Sequence, residues 1–288
     1  MNCTLCSAPM QLEPIAQVFR CPGCGFFASR LPVLVNQTSA IDEARRERGL
    51  KLLRLRNFQE ILDRCDRILP SGATLLDVGC AHGWFLDAAA KRGYDAIGIE
   101  PDREIAARAR ASGARVIEGF FPTALPETSR FAAITFNDVL EHLPDPDTVI
   151  AQVNARLLPG GIVVINLPVS EGVIFRLSRL AAKLGYAVPL TRMWQVGLPS
   201  PHLSYFSSSL VVRLMCRHGL ELIESRPLEA IMRQGLYHRI CADRGISRFG
   251  AGMIFCAALL LRLVIRRFPS DIRYFLFRKP GALPVDKA

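Results

Sequence analysis

The chain has 288 residues, half of them hydrophobic, with 36 Lys and Arg against 26 Asp and Glu, a formal net charge of +10. That length accommodates one full α/β core with a small accessory domain, and the charge points to anionic partners such as nucleic acid, an acidic membrane surface or a phosphorylated substrate. No basic segment followed by an apolar run opens the chain, so no secretory signal is expected. The nine cysteines then read as reduced thiols or metal ligands in a cytoplasmic setting, which excludes a disulfide framework.

Residues 1–30 carry Cys3-x-x-Cys6 and Cys21-x-x-Cys24. Each pair can form a small knuckle, and together they offer four thiolates to a tetrahedral zinc. Four sulfur ligands leave no open position, so the zinc is expected to be structural, in a ribbon that owes much of its folding energy to the metal. A redox dithiol is the rival reading, and two matched pairs ahead of any strand-helix unit argue against it. Pro32 to Ser39 reads as a linker and residues 40–69 as helical, with Leu50, Leu53, Phe58, Ile61, Leu62 and Ile68 near helical spacing. Seven arginines lie among them, from Arg45 to Arg67. Such a face either grips RNA or phospholipid or, more commonly, is the solvated side of a helix on a sheet edge. Pro70-Ser-Gly72 breaks the helix.

Thr74 to Val78 is an apolar run with one carboxylate, Asp77. Gly79, Ala81 and Gly83 then permit a tight turn, and Trp84 to Lys91 can be helical. In such a turn the backbone approaches a ligand because side chains are missing. A second apolar run, Tyr94 to Ile99, ends in Glu100, about 20 residues after the first glycine, where an acid can hold ribose hydroxyls. No Lys-Ser/Thr pair follows the turn, so a P-loop is excluded. From here strand and helix alternate: strands are expected near 74–79, 95–100, 114–118, 131–137 and 161–167, and helices near 83–92, 102–112, 146–157 and 207–218. A last strand at 219–225 and an antiparallel one near 236–241 would complete a mostly parallel sheet with helices on both faces.

Four blocks, Leu76-Asp-Val-Gly-Cys-Ala-His-Gly83, Gly98-Ile-Glu-Pro-Asp102, Asn137-Asp-Val-Leu-Glu-His142 and Leu158-Pro-Gly-Gly161, resemble the class I S-adenosylmethionine-dependent methyltransferases over residues 55 to 225. Ala81 departs from the family, which usually has glycine there. The resemblance implies a Rossmann-like doubly wound, mostly parallel α/β sheet preceded by a small four-cysteine zinc ribbon. The chain then divides into a ribbon (1–30), a linker and helical extension (31–70), a methyltransferase domain (71–242) and an apolar, basic tail (243–288). It implies S-adenosylmethionine as cofactor, with Asp77, Gly79, Cys80, Gly83, Glu100, Pro101 and Asn137 in its site. Asp77 could equally cap the following turn, and Asp102 reads as a helix cap. After the third strand either Glu118 meets the adenine or Phe120 packs on it, and Phe120 is preferred.

Asp138, Glu141 and His142 share one face of a helical turn and look like the Glu-x-x-Glu-His pattern of ubiquinone-pathway O-methyltransferases, which suggests a divalent cation at those three residues. Alternatively His142 is a general base, with Glu141 beside it, or the pair only braces the turn. His202, at the end of the insertion 168–206, rivals His142 as base. That insertion holds a basic amphipathic helix around Val173 to Leu184, suited to a lid or to a membrane surface. The apolar run Gly250 to Leu261 is too short to span a bilayer, and with Arg262, Arg266, Arg267, Arg273 and Arg278 it reads as a buried helix or a shallow anchor. Asn137 is not followed by Pro-Pro-aromatic, which favours oxygen, carbon or small-molecule nitrogen as the methyl acceptor. The expected function is methylation of a small-molecule, saccharide or lipid-linked acceptor in the cytoplasm, with peripheral contact at the inner face of the membrane. An RNA methyltransferase is the enzymatic rival, disfavoured because the ribbon offers few basic or stacking side chains. A non-catalytic cofactor-binding scaffold is the third reading.

Overall fold

The computed structural model describes residues 1–34, 42–242, 245–265 and 267–283. From residue 35 onward the expected linker, the first two residues of the expected helix and Arg266 lie outside these. Three short antiparallel strands, β1 (Gln11–Leu12), β2 (Val18–Arg20) and β3 (Phe27–Ser29), open the chain. The long helix α1 (Glu43–Cys65) follows, its first turn capped by the Asp42 carboxylate accepting from the Arg45 N–H. The alternating unit is β4 (Thr74–Val78), α2 (Trp84–Ala90), β5 (Asp95–Glu100), α3 (Arg103–Ala111), β6 (Val116–Glu118), β7 (Phe131–Asn137), α4 (Pro146–Arg156) and β8 (Leu157–Pro168). The insertion contributes α5 (Val173–Lys183), α6 (Val188–Met193) and β9 (Ser204–Tyr205), before α7 (Ser208–Arg217), β10 (Glu221–Pro227), α8 (Leu236–Cys241), α9 (Arg248–Ile265) and β11 (Ile272–Arg278).

The main sheet runs β10-β11-β8-β7-β4-β5-β6. Strands β4 to β8 are parallel, and β11 is antiparallel to both its neighbours. Helices cover both faces, which is why β4, β7 and β8 read as continuous apolar runs and not as alternating ones. One apolar layer forms around Leu76, Ile134, Val163 and Phe275, the other around Leu75, Phe85, Val164 and Tyr274. Strand order reverses at β4 and β7, so the crevice above their carboxyl ends is where a ligand is held in such sheets.

One expectation is corrected here. Residues 236–241 form helix α8 and not a strand; the antiparallel strand is β11, drawn from the segment read as tail, and it carries Arg273 and Arg278. The ribbon packs against the main domain. Its β3 pairs with β9 of the insertion, and Cys3, Cys21 and Phe26 are buried in the same apolar layer as Phe206 and Leu210.

Candidate active site

The turn after β4 is shaped by left-handed backbone at three positions: Gly79 (φ +68°), Ala81 (φ +46°) and Gly83 (φ +73°). A side chain at Gly79 would meet Val139 Cγ2 at 2.6 Å, so only glycine lets the turn close against the loop after β7. Glu100 stands at the end of β5 and ties this turn down. Its carboxylate accepts the Ala81 N–H and the Asp102 N–H, each at 2.9 Å. Each oxygen keeps a second lone pair for a ligand hydroxyl, and burial raises its pKa. Asp102 caps α3 by accepting the Ile105 N–H at 3.0 Å, as expected.

Asp77 does not cap the turn. It accepts from Thr135 Oγ1 at 2.6 Å and from Asn137 Nδ2 at 3.0 Å, and burial lifts its pKa to about 7. Asn137 Oδ1 is buried with no partner. Asp77, Gly79, Ala81, His82, Trp84 and Asn137 line a cleft that also touches Arg54 and Phe58 of α1. A bent backbone lacking side chains, an orphaned amide oxygen and a carboxylate at the neighbouring strand end fit a nucleoside cofactor with a charged amino acid tail. Cys80 also lines the cleft, with its side chain packed against Gly98. Gly83, Glu100 and Pro101 are not among the residues lining the cleft; Phe120 is outside it too and exposed, and Glu118 pairs with Arg110 on α3. The structure therefore brings neither expected adenine contact to the cleft.

Beside this cleft lies a second cavity lined by Leu53, Arg54, Asn57, Asp138, Asn166 and Arg239. Arg54 Nη2 donates to Asp138 Oδ2 at 3.2 Å, Asn166 Oδ1 is buried without a partner, and burial beside Arg46 and Arg54 lowers the pKa of Arg239. Arg239 reaches this place because α8 crosses α1 in close backbone contact. A side chain at Gly49 would meet the Arg239 N at 2.5 Å, and one at Gly235 the Gly49 O at 2.5 Å. Sequence reading missed Arg54, Asn57, Asn166 and Arg239. Nothing in its spacing separates Arg54 from the other arginines of α1.

Behind the Arg54–Asp138 pair sit Glu141, His142 and His202. The expected grouping of Asp138 with Glu141 and His142 is corrected: Asp138 is left-handed (φ 56°) and turns to Arg54, and His202 takes its place. The candidate ligand atoms of Glu141, His142 and His202 lie within 4.8 Å of one another. Both Glu141 oxygens are buried and unpartnered, and burial, then the Asp138 charge, raises its pKa well above the carboxylate range. Burial lowers the pKa of His142, and burial and then the nearby His142 lower that of His202. His142 Nδ1 lies 2.9 Å from the Pro201 carbonyl; an N–H there leaves the lone pair on Nε2. In the ribbon, the Cys3–Cys24 and Cys6–Cys21 sulfurs are 3.6 and 3.4 Å apart. A tetrahedral zinc with Zn–S near 2.3 Å sets sulfurs about 3.8 Å apart, so these four fit a closed structural zinc site.

A seven-stranded sheet of this order, with a bent glycine turn after one strand and an acid ending the next, defines a class of nucleoside-cofactor enzyme. A family model described as a methyltransferase domain matches residues 45–225, and the chain belongs to the class I S-adenosylmethionine-dependent methyltransferases. A ubiquinone biosynthesis O-methyltransferase of Xanthomonas axonopodis pv. citri (strain 306) is 32% identical over 107 residues, covering 35% of this chain and 45% of that protein. An uncharacterized methyltransferase of Mycobacterium sp. (strain JLS) is 36% identical over 106 residues, 36% of this chain and 42% of the other. The match thus spans less than half the length of these relatives. Among solved structures, a putative sarcosine dimethylglycine methyltransferase from Galdieria sulphuraria has a TM-score of 0.55 at 17% identity, over 85% of this chain and 94% of that one. It shares the fold.

Proposed function

We propose that the chain methylates an oxygen or carbon of a small acceptor bearing an anionic group, such as a saccharide or lipid-linked precursor. The observation that carries this reading is the junction of the two cavities. Arg54 and Phe58 line both, so a cofactor on the glycine turn and an acceptor beneath α1 and α8 would share one space. Bound S-adenosylmethionine supplies a methyl group already activated by its sulfonium. The chain must then place the acceptor in line and exclude water. Arg54 and Arg239 orient an anionic acceptor, and Asn166 Oδ1 accepts a hydrogen bond from its hydroxyl. His142, neutral at pH 7 through burial, is the base, and His202, whose Nε2 accepts from the Gln195 side-chain amide at 2.8 Å, packs against its ring. The Xanthomonas relative's name supports oxygen as the acceptor.

A second reading is favoured by the two unpartnered oxygens of Glu141: with His142 and His202 they would hold a divalent cation that lowers the pKa of an acceptor hydroxyl. Metal analysis separates the two readings. One zinc per chain leaves His142 as the base, and a second divalent ion lost with Glu141→Gln supports the cation.

Transfer of labelled methyl into fractionated cell lysate tests the proposal. Label is expected in the lipid or small-molecule fraction, and label confined to RNA would overturn it. Arg54→Ala should raise the acceptor KM roughly 10- to 100-fold, the value of a charge-assisted hydrogen bond of about 1.5–3 kcal/mol. Its affinity for S-adenosylhomocysteine should fall less than that for the acceptor, because Arg54 also borders the cofactor cleft but the glycine turn is untouched.

A further inference from the structure

Two segments that meet at the ligand-binding end of the sheet, residues 172–206 and 245–270, contain no Asp or Glu. From the first, α5 buries Phe175, Ser178 and Ala182 and turns Leu177, Leu180 and Leu184 outward, the last 80% exposed. Arg176 and Lys183 are exposed beside them. From the second, α9 has Ala251 as the one buried residue among its described side chains. Phe249 (80% exposed), Met253 (60%) and Leu260 (67%) lie at i, i+4 and i+11, a single stripe along the helix. Arg248 and, just beyond the helix, Arg267 are exposed.

The two helices are joined at one corner. The Val173 N–H donates to the Pro269 carbonyl at 3.2 Å, and the Asp271 carboxylate accepts the Ile174 and Phe175 N–H groups at 3.2 and 3.0 Å. Ile272 pairs with Pro168 at the carboxyl end of β8, and α9 packs on α8, which carries Arg239 into the second cavity. Thus α9 lies on the helix that supplies Arg239 to that cavity, and α5 starts beside the strand end that supplies Ile272 to it. Exposed apolar side chains aligned in stripes and rimmed by cations mark an interaction surface, which singly scattered ones do not.

Charge decides what covers it. A second copy of this chain would bring one basic face against another, since the acids beside these helices, Glu13 and Glu229, are already paired with Arg179 and Arg262, and like faces repel. No described helix is long and apolar enough to cross a membrane. Basic helices with an outward apolar stripe lie in the plane of an anionic bilayer, apolar side chains in the acyl boundary and cations at the headgroups. We propose that α5 and α9 form one docking face for the surface of an anionic phospholipid bilayer and hold the cavity mouth at headgroup level. This goes beyond the methyl-transfer reading and is tested without it.

The test is sedimentation of the full chain with vesicles of phosphatidylcholine alone and of an equimolar mixture with phosphatidylglycerol. The chain should partition to the mixed vesicles roughly tenfold or more above the neutral ones, and salt should weaken the binding. Leu184→Glu with Phe249→Glu should abolish pelleting, and Arg176→Gln with Lys183→Gln should weaken it by roughly fivefold per cation removed. Unchanged calorimetric affinity for S-adenosylhomocysteine certifies that each variant is folded. Three results would overturn the proposal: no binding to mixed vesicles at low salt, equal binding to both vesicle types, or a sedimenting dimer that the double glutamate variant splits.

Discussion

Ala81 holds a left-handed backbone angle that costs an L-residue roughly 1–2 kcal/mol and glycine almost nothing. Ala81→Gly should therefore raise the unfolding free energy by about 1 kcal/mol in urea titration; a neutral or destabilising result would mean the methyl group packs usefully. Asp77 is the residue with the clearest pH signature. Its pKa is about 7 when folded, against about 3.9 unfolded, so the folded chain binds more protons between those values. The contribution is fully present below about pH 4 and is lost as pH rises through about 7. The stability advantage of Asp77→Asn over the parent should thus be near zero at pH 4 and largest above pH 7. The cofactor is cationic at its sulfonium, so its affinity for the parent should rise over the same window, and calorimetry should find that rise missing in Asp77→Asn. Residues of this kind were legible because local geometry demands them: a glycine where the chain must bend, an acid where a strand ends. Arg54, Asn166 and Arg239 were not, since each depends on which distant element packs opposite it.

At the level of elements, the ribbon and the insertion behave as one unit. The Ser29 hydroxyl donates to the His202 carbonyl and the Ser29 N–H to the Leu203 carbonyl, each at 2.8 Å, while Phe27 packs on Phe175 and Tyr205 on Trp194. The peptide of His202 is thus tied to the strand that follows the second cysteine knuckle. Loss of zinc should loosen that strand without touching the glycine turn. Cys21→Ser is expected to lower kcat by roughly 10-fold or more, the scale of a misplaced catalytic group. S-adenosylhomocysteine should bind the variant as it binds the parent; a parallel loss of cofactor affinity would show that the ribbon supports the whole domain instead. The cysteine spacing made the ribbon visible in the sequence. Its docking was not visible, because β9 is two residues long and a strand that short has no alternation to read.

Across the whole molecule the sheet is closed by a strand from the far end of the chain. β11 was hidden for a physical reason: buried on both faces and following an apolar helix, Ile-Arg-Tyr-Phe-Leu-Phe-Arg shows no period that separates it from the tail before it. It lies between β8 and β10, and Tyr274, Phe275, Leu276 and Phe277 are all fully buried. At about 1.5–3 kcal/mol for each large apolar side chain, these four contribute on the order of 6–12 kcal/mol, comparable with the 5–15 kcal/mol that separates a typical folded domain from its unfolded state. Without β11 the edge strand β10 also loses its one sheet neighbour. A chain ended after Ile265 should therefore fail to fold: no cooperative thermal transition, no near-ultraviolet dichroism and no cofactor binding are expected, although residues 45–225 that match the family model are intact. If that shortened chain melts cooperatively and binds S-adenosylhomocysteine, the parallel strands alone hold the site, and β11 serves only to carry α9 to its place beside the cavity.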